Sequence, residues 1–190
     1  MQISERARRL AREWLPFALG IACLFAVRSS IADHYVVPSG SMQATLFAGD
    51  RVMVDKRAYG VRLPFTLVKV TRGHDIARGD VVIFDSPADG TRLIKRVVAL
   101  GGDRVEVREG HVLINGVPAD ESARRLDLSS GGGPDLEATR VPEGRVLVLG
   151  DARGNSNDGR FFGFVRADDI YAKAVGVYYR SDEGFVWLPL

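Results

Sequence analysis

At 190 residues the chain is long enough for one sizeable core, or for one core with a small subdomain. Its formal net charge is only +2, with acids and bases spread through the body, which excludes the basic field of a nucleic-acid binder; no DNA or RNA partner is expected. The single cysteine, Cys23, excludes an intrachain disulfide framework and a cysteine-rich metal site, and leaves the redox compartment unreadable from thiols.

In chain order, the first signal is for a membrane. Arg6, Arg8, Arg9 and Arg12 precede an apolar run from Trp14 to Val27, and such arginines stay on the cytoplasmic side of a bilayer. The run is shorter than the ~20 residues that cross the hydrocarbon as a helix, but Ser29, Ser30, Ile31 and Ala32 extend it if Arg28 snorkels. Residues 1–13 are therefore expected to be a short cytoplasmic tail and residues 14–32 a single transmembrane anchor, which Pro16 and Gly20 weaken without excluding. The alternative is a cleavable secretory peptide, with Ser30 and Ala32 as small residues before Asp33. The anchor is preferred because Arg28 interrupts the usual flank of such a site and a serine motif begins a few residues later. Either reading puts the body, residues 33–190, outside the cytoplasm.

From Tyr35 onward, short β-branched runs are punctuated by Gly, Asp and Asn, the pattern of a mostly β domain: an antiparallel sheet or partly open barrel with long loops. Strands are expected at Asp50 to Lys56, Asp80 to Phe84, Leu93 to Leu100, Val105 to Arg108, His111 to Ile114, Arg145 to Leu149 and Ile170 to Tyr179. Glu109-Gly110 and Asn115-Gly116 mark a hairpin around His111 to Ile114. Residues 57–77 and 119–140 read as insertions. The first holds Leu63-Pro64-Phe65-Thr66-Leu67-Val68, which either rests on a membrane surface or tucks against the sheet. The second holds Ser129-Ser130-Gly131-Gly132-Gly133-Pro134 and is expected to be mobile. No internal repeat is present.

The chemistry concentrates in Pro38-Ser39-Gly40-Ser41-Met42 and in Lys95, which lies inside the apolar run from Leu93 to Leu100. A serine hydroxyl needs a base to become a nucleophile, and a lysine serves as that base only if desolvation keeps it neutral. Strand alternation puts Leu93, Lys95, Val97 and Ala99 on one face, where a charged lysine is costly, and turns Arg96 to the other. Pro38 biases Val37 towards an extended backbone, and Gly40 permits conformations other residues resist, which together hold a serine at a strand edge. The Ser41 N–H and the Ser39 hydroxyl are the nearest donors for an oxyanion. Taken singly, the tetrapeptide is also an ordinary polar turn, and Lys95 also an exposed strand residue with its stem over apolar neighbours.

Ordered boxes extend the pattern over nearly the whole chain. They are the Ser41 motif with Thr45-Leu46 and Gly49-Asp50; Lys56-Arg57-Ala58-Tyr59-Gly60; Arg78-Gly79-Asp80-Val81-Val82-Ile83-Phe84; Ile94 to Asp103; and Gly150-Asp151 through Asn155-Ser156, Asp158 and Arg160 to Phe164-Val165. Together they resemble the bacterial type I signal peptidases, membrane-bound Ser/Lys proteases that cut signal peptides from exported proteins. The resemblance implies that Ser41 is the nucleophile, Lys95 the general base and Ser39 the side-chain oxyanion donor. It implies that Ser156 orients the Lys95 amine and that Asp158 and Arg160 are a structural pair beside the site. Tyr35, Val37, Met42, Leu46, Leu93 and Ile94 fall where the family lines two shallow apolar pockets, which would select small residues at the first and third positions before the cut. It further implies an inner-membrane location, signal-peptide-bearing preproteins as substrates, the lipid bilayer and the neighbourhood of the secretion translocon as surroundings, and no cofactor. The sequence departs from the family pattern at Ala44, usually proline, and at Ala152, Gly154 and Gly159, often Asn, Asp and Ser. None of these removes a proposed catalytic atom.

Other chemistries fit less well. A Ser/His/Asp site would need His34, His74 or His111, which lie beside the membrane segment, in the first insertion and at the start of a hairpin strand. No HExxH pair points to zinc, and residues 150–159 lack calcium-loop spacing and contain an arginine, so no metal is expected. A dedicated pilin- or conjugation-processing protease would share the Ser/Lys chemistry, and an inactive anchored β module that binds peptides or cell-wall components would leave Ser41 and Lys95 as surface residues. The full set of boxes favours the general peptidase over both.

Overall fold

The computed structural model describes residues 12–21, 32–61, 68–119 and 126–190. Residues 12–21 form an exposed helix, α1. At 1.5 Å per residue that is ~15 Å, about half the hydrocarbon thickness. Residues 22–31 of the expected anchor lie outside the described residues, and among those described no helix is long and apolar enough to cross a membrane.

The body is built almost wholly of antiparallel strands: β1 (Ala32–Val36), β2 (Arg51–Asp55), β3 (Val81–Asp85), β4 (Arg92–Leu100), β5 (Arg104–Arg108), β6 (His111–Ile114), β7 (Val117–Pro118), β8 (Leu136–Arg140), β9 (Arg145–Leu149), β10 (Val165–Arg166), β11 (Ala172–Arg180) and β12 (Gly184–Pro189). A single helical turn, α2, spans Gly159–Phe162. The larger sheet runs β1-β2-β11-β3-β4-β9-β10 with β12 added on β11, and the smaller runs β7-β6-β5-β8. The larger sheet is an open path that ends at β1 and β10.

Burial follows from the residue pattern. β3 reads Val-Val-Ile-Phe without alternation because both of its faces are covered. Val81 and Ile83 pack with Val52, Val54, Met42 and Leu46 on one side, while Val82 and Phe84 pack with Val97, Val148 and Ile170 on the other. A third cluster joins the sheets through Leu147, Leu149, Val105, Val107 and Val112. Full burial of each such side chain contributes about 1.5–3 kcal/mol.

All seven expected strands are present within two residues at each end. The hairpin turn at Glu109-Gly110 and the next at Asn115-Gly116 both have positive φ at both residues, the geometry that matches strand twist in a two-residue turn. Five short strands went unread. β8, with the weak pattern Leu-Glu-Ala-Thr-Arg, lies inside the expected insertion 119–140 and is held by pairing to β5, with Val105 opposite Thr139. Within the Ser129–Pro134 stretch, expected to be mobile, the exposed residues flank Gly132, which is packed closely against the body. A Cβ on Gly132 would meet the Glu109 carbonyl carbon at 2.2 Å, and one on Gly154 would meet the Ser130 oxygen at 1.9 Å, so close backbone approach is what the glycines permit here. Residues 120–125 lie outside the described set, as do residues 62–67 of the first insertion. The described flanks of that first insertion fold back on the body: Tyr59 is buried and donates to Asp80 at 2.8 Å, and His74 N–H donates to the Ala58 carbonyl at 2.8 Å.

Candidate active site

Val37 leaves β1 held by backbone bonds on both sides, donating to the Asp50 carbonyl and accepting from Gly49 N–H, each at 2.9 Å. The chain then enters a 3₁₀ turn at Gly40–Met42, pinned from below by Met42 and Leu46, which have no exposed surface. From the far side of the fold, Ala152 N–H donates to the Ser41 carbonyl at 3.1 Å. The nucleophile candidate is therefore fixed to the core by its neighbours and to the 150–158 loop by its own backbone.

β4 brings Lys95 to it. Lys95 is 2% exposed, and its Nζ lies 2.6 Å from Ser41 Oγ. Burial among apolar side chains pushes the amine down to about 8, against the opposing attraction of the Asp158 and Asp151 carboxylates; the Arg160 guanidinium adds a smaller downward push. Ser39 Oγ stands 3.4 Å from Ser41 Oγ on the exposed side. Ser41, Lys95 and Ser39 are thus brought together as expected.

The expected bond from Ser156 to Lys95 is not formed. Ser156 is buried at the site, but its hydroxyl has no hydrogen-bond partner. It sits against Gly150, where a Cβ would lie 2.2 Å from Ser156 Oγ and 2.5 Å from the Ser41 carbonyl oxygen; only glycine lets the two segments meet. Asp158 and Arg160 have side chains with no exposure and bond to each other at 2.9 Å through Arg160 Nε and Oδ1 and again through Nη2 and Oδ2. Asp158 also accepts from Gly150 N–H at 3.0 Å, while Arg160 reaches the Gly132 and Arg153 carbonyls at 2.6 and 2.5 Å. The pair therefore shapes the loop that meets Ser41.

Sequence reasoning assigned no role to a second buried pair. Arg96 donates to Asp151 at 2.8 and 2.6 Å and to Thr45 Oγ1 at 3.2 Å, and Thr45 donates to Asp151 at 2.5 Å. An arginine inside an apolar strand requires an opposite charge where it points, and that was the available signal. Arg153 is likewise buried and links the Gly150 carbonyl, at 3.0 Å, to the Gly110 carbonyl of the β5–β6 turn.

A groove of about 210 Å³ opens beside Ser41 and Lys95, between Tyr35–Ser39 and Arg92–Ile94, with Ile83 in its lining. Of the six residues expected to line substrate pockets, Tyr35, Val37, Leu93 and Ile94 line this groove. Met42 and Leu46 do not; the 3₁₀ turn sends Met42 into the core, and Leu46 follows it there from the next turn. β4 pairs with β3 from Arg92 to Arg96 but with β9 only from Arg96 onward, so residues 92–95 have an open edge on that side. Among the described residues β1 pairs only with β2. Open strand edges accept an extended peptide through main-chain bonds, with side-chain pockets giving selection. The three histidines are exposed, on β1, in residues 68–75 and on β6, and among the described residues the Ser41 hydroxyl is bonded to Lys95 and Ser39.

The family model described as "Signal peptidase, peptidase S26" matches residues 11–179. Signal peptidase I of Leptolyngbya laminosa is 33% identical over 165 residues, spanning 83% of this chain and 73% of the relative. Signal peptidase I of Pseudomonas fluorescens is 32% identical over 191 residues, 82% of this chain and 67% of the relative. Signal peptidase I of Rickettsia bellii is 31% identical over 220 residues, 94% and 76% respectively.

Proposed function

The chain belongs to the signal peptidase family, peptidase S26, and from that premise we propose how its residues remove signal peptides. It is a type I signal peptidase, a serine endopeptidase acting on signal-peptide-bearing preproteins. The observation that carries the mechanism is the 2.6 Å contact of a buried lysine amine with the Ser41 hydroxyl.

The preprotein segment before the cut lies extended in the groove and adds to the open edges of β1 and β4. Tyr35, Val37, Leu93 and Ile94 leave room for small side chains at the first and third positions, an Ala-x-Ala pattern. Neutral Lys95 takes the Ser41 proton as Ser41 Oγ bonds to the scissile carbonyl carbon. The Ser41 N–H and Ser39 hydroxyl donate to the oxyanion. Collapse breaks the C–N bond; the Lys95 ammonium protonates the leaving amine, and the mature protein departs. Lys95 then takes a proton from water, whose oxygen attacks the acyl carbon, and returns it to Ser41 as the signal peptide leaves. With the amine at about 8, roughly one-tenth is neutral at pH 7, against under a thousandth for an ordinary lysine. Ser156 turns its unbonded hydroxyl to the Lys95 amine during the cycle and fixes its direction.

We place the body on the extracytoplasmic side of the bacterial inner membrane, anchored through residues 14–32 with the N-terminus cytoplasmic and near the secretion translocon. In support, β1, β2 and β12 present exposed Val36, Met53, Trp187 and Phe185, the last 86% exposed, and β1 is both the first strand of the body and part of the groove lining. Such apolar area suits a lipid surface.

The test is cleavage of an Ala-x-Ala preprotein by the purified chain, its Ser41→Ala and its Lys95→Ala variants. Wild type is expected to cut after the second alanine, and each variant to lose at least three decades of rate. Undiminished cleavage by either variant would refute the assigned roles.

A further inference from the structure

Arg92 stands at the end of the groove far from Ser41, in a setting the reaction does not use. Its guanidinium carbon lies 5.0 Å from the Tyr35 ring centroid and 5.8 Å from that of Tyr171. Its Nε donates to the Tyr171 hydroxyl at 2.7 Å, and that hydroxyl donates to Asp85 at 3.1 Å. Two flanking rings and one directed bond hold the side chain although it is 57% exposed. The nearest carboxylate, Asp85, is 3.9 Å away from Nε and itself half exposed. Among the described residues the two Nη groups make no hydrogen bond, so a groove occupant meets their donors.

We propose that Arg92 selects for a carboxylate, and against an ammonium, on the substrate's fourth residue before the cut. The inference rests on the peptidase reading above. An extended peptide paired along residues 92–95 advances in step with the strand, about 3.3 Å per residue. With the residue before the cut opposite Lys95, the position opposite Arg92 is three residues further on, ~10 Å away. The aromatic clamp keeps the guanidinium at that place, so the entropy of holding the long side chain is already spent. Exposure limits the effect to that of a solvent-screened ion pair with planar, bidentate geometry.

The test uses peptides with the same Ala-x-Ala end and Asp, Ala or Lys at the fourth position, and a second set carrying Asp or Lys at the second position. The Asp-to-Lys ratio of kcat/KM is measured within each enzyme, which cancels any general loss of activity. Wild type is expected to favour Asp at the fourth position by roughly 5-fold in low salt, with the ratio falling towards one in ~0.5 M salt. Arg92→Gln brings the low-salt ratio to about one, and Arg92→Glu inverts it. Cleavage of the Ala peptide with an Asp-to-Lys ratio near one in wild type would overturn the inference and leave the peptidase reading standing. So would a ratio that survives Arg92→Gln, or one of equal size at the second position. No cleavage of any peptide would overturn both.

Discussion

Replacing Lys95 with methionine should make the protein inactive and, at neutral pH, more stable. Lys95 is 2% exposed, and burial brings its amine from 10.5 to about 8 against the pull of Asp158 and Asp151. A base that binds protons less tightly when folded destabilises the fold at low pH, and the burden lifts as pH rises from the folded value to the unfolded one. The burden is about 3 kcal/mol at pH 7 and about 2 kcal/mol smaller by pH 9.5. Methionine fills similar volume without the charge and forfeits the bond to Ser41, about 1 kcal/mol. Lys95→Met is therefore expected to gain about 2 kcal/mol over wild type at pH 7 and to match it near pH 9.5, measured by urea unfolding of matched samples. Packing and hydrogen-bond changes are the same at both pH values, so the change in the gap isolates the amine. A gap that does not shrink between pH 7 and 9.5 would refute the reasoning.

Ser39→Ala should lower kcat by ten- to a hundredfold with little change in KM, because the lost donor acts on the oxyanion; an effect confined to KM would assign Ser39 to binding instead. Asp151→Asn leaves the Arg96 charge buried without a counter-ion and should cost about 3–5 kcal/mol in denaturant unfolding, whereas a loss under 1 kcal/mol would show that the pair is solvated. Ser156→Ala deletes a buried hydroxyl that has no partner, so the protein should be no less stable than wild type while kcat falls. Destabilisation above about 1 kcal/mol would reveal a ground-state bond.

Strands with dense β-branched runs were legible because their burial is written in consecutive residues: β3, β4 and β9 each carry a stretch that only a covered strand tolerates. β8 and β12 were not, since their stability comes from a neighbour's open edge, and a sequence such as Leu136-Glu137-Ala138-Thr139-Arg140 does not name that neighbour. The same logic separates the parts of the site. Ser41 and Lys95 stood out by their local surroundings, and the ordered boxes along the rest of the chain gave them their expected roles. Met42 and Leu46 could not be told apart from groove residues, because a 3₁₀ turn at Met42 and further turns up to Leu46 break the alternation that assigns faces. The glycines at 131–133 looked like a flexible linker; Gly132 packs closely against residues 109–110 and Gly133 against the Arg153 carbonyl that Arg160 grips, a distinction composition alone does not hold. The Arg96–Asp151 pair needed a fold to bring two distant boxes together.

The central claim is that Lys95 is neutral often enough to take the Ser41 proton at physiological pH. Its most direct measurement is an NMR titration of the Lys95 side chain in protein carrying ¹³C-labelled lysine, assigned by comparison with Lys95→Met. The expected midpoint is about 8. A midpoint close to that of an ordinary lysine, about 10.4, would contradict the account.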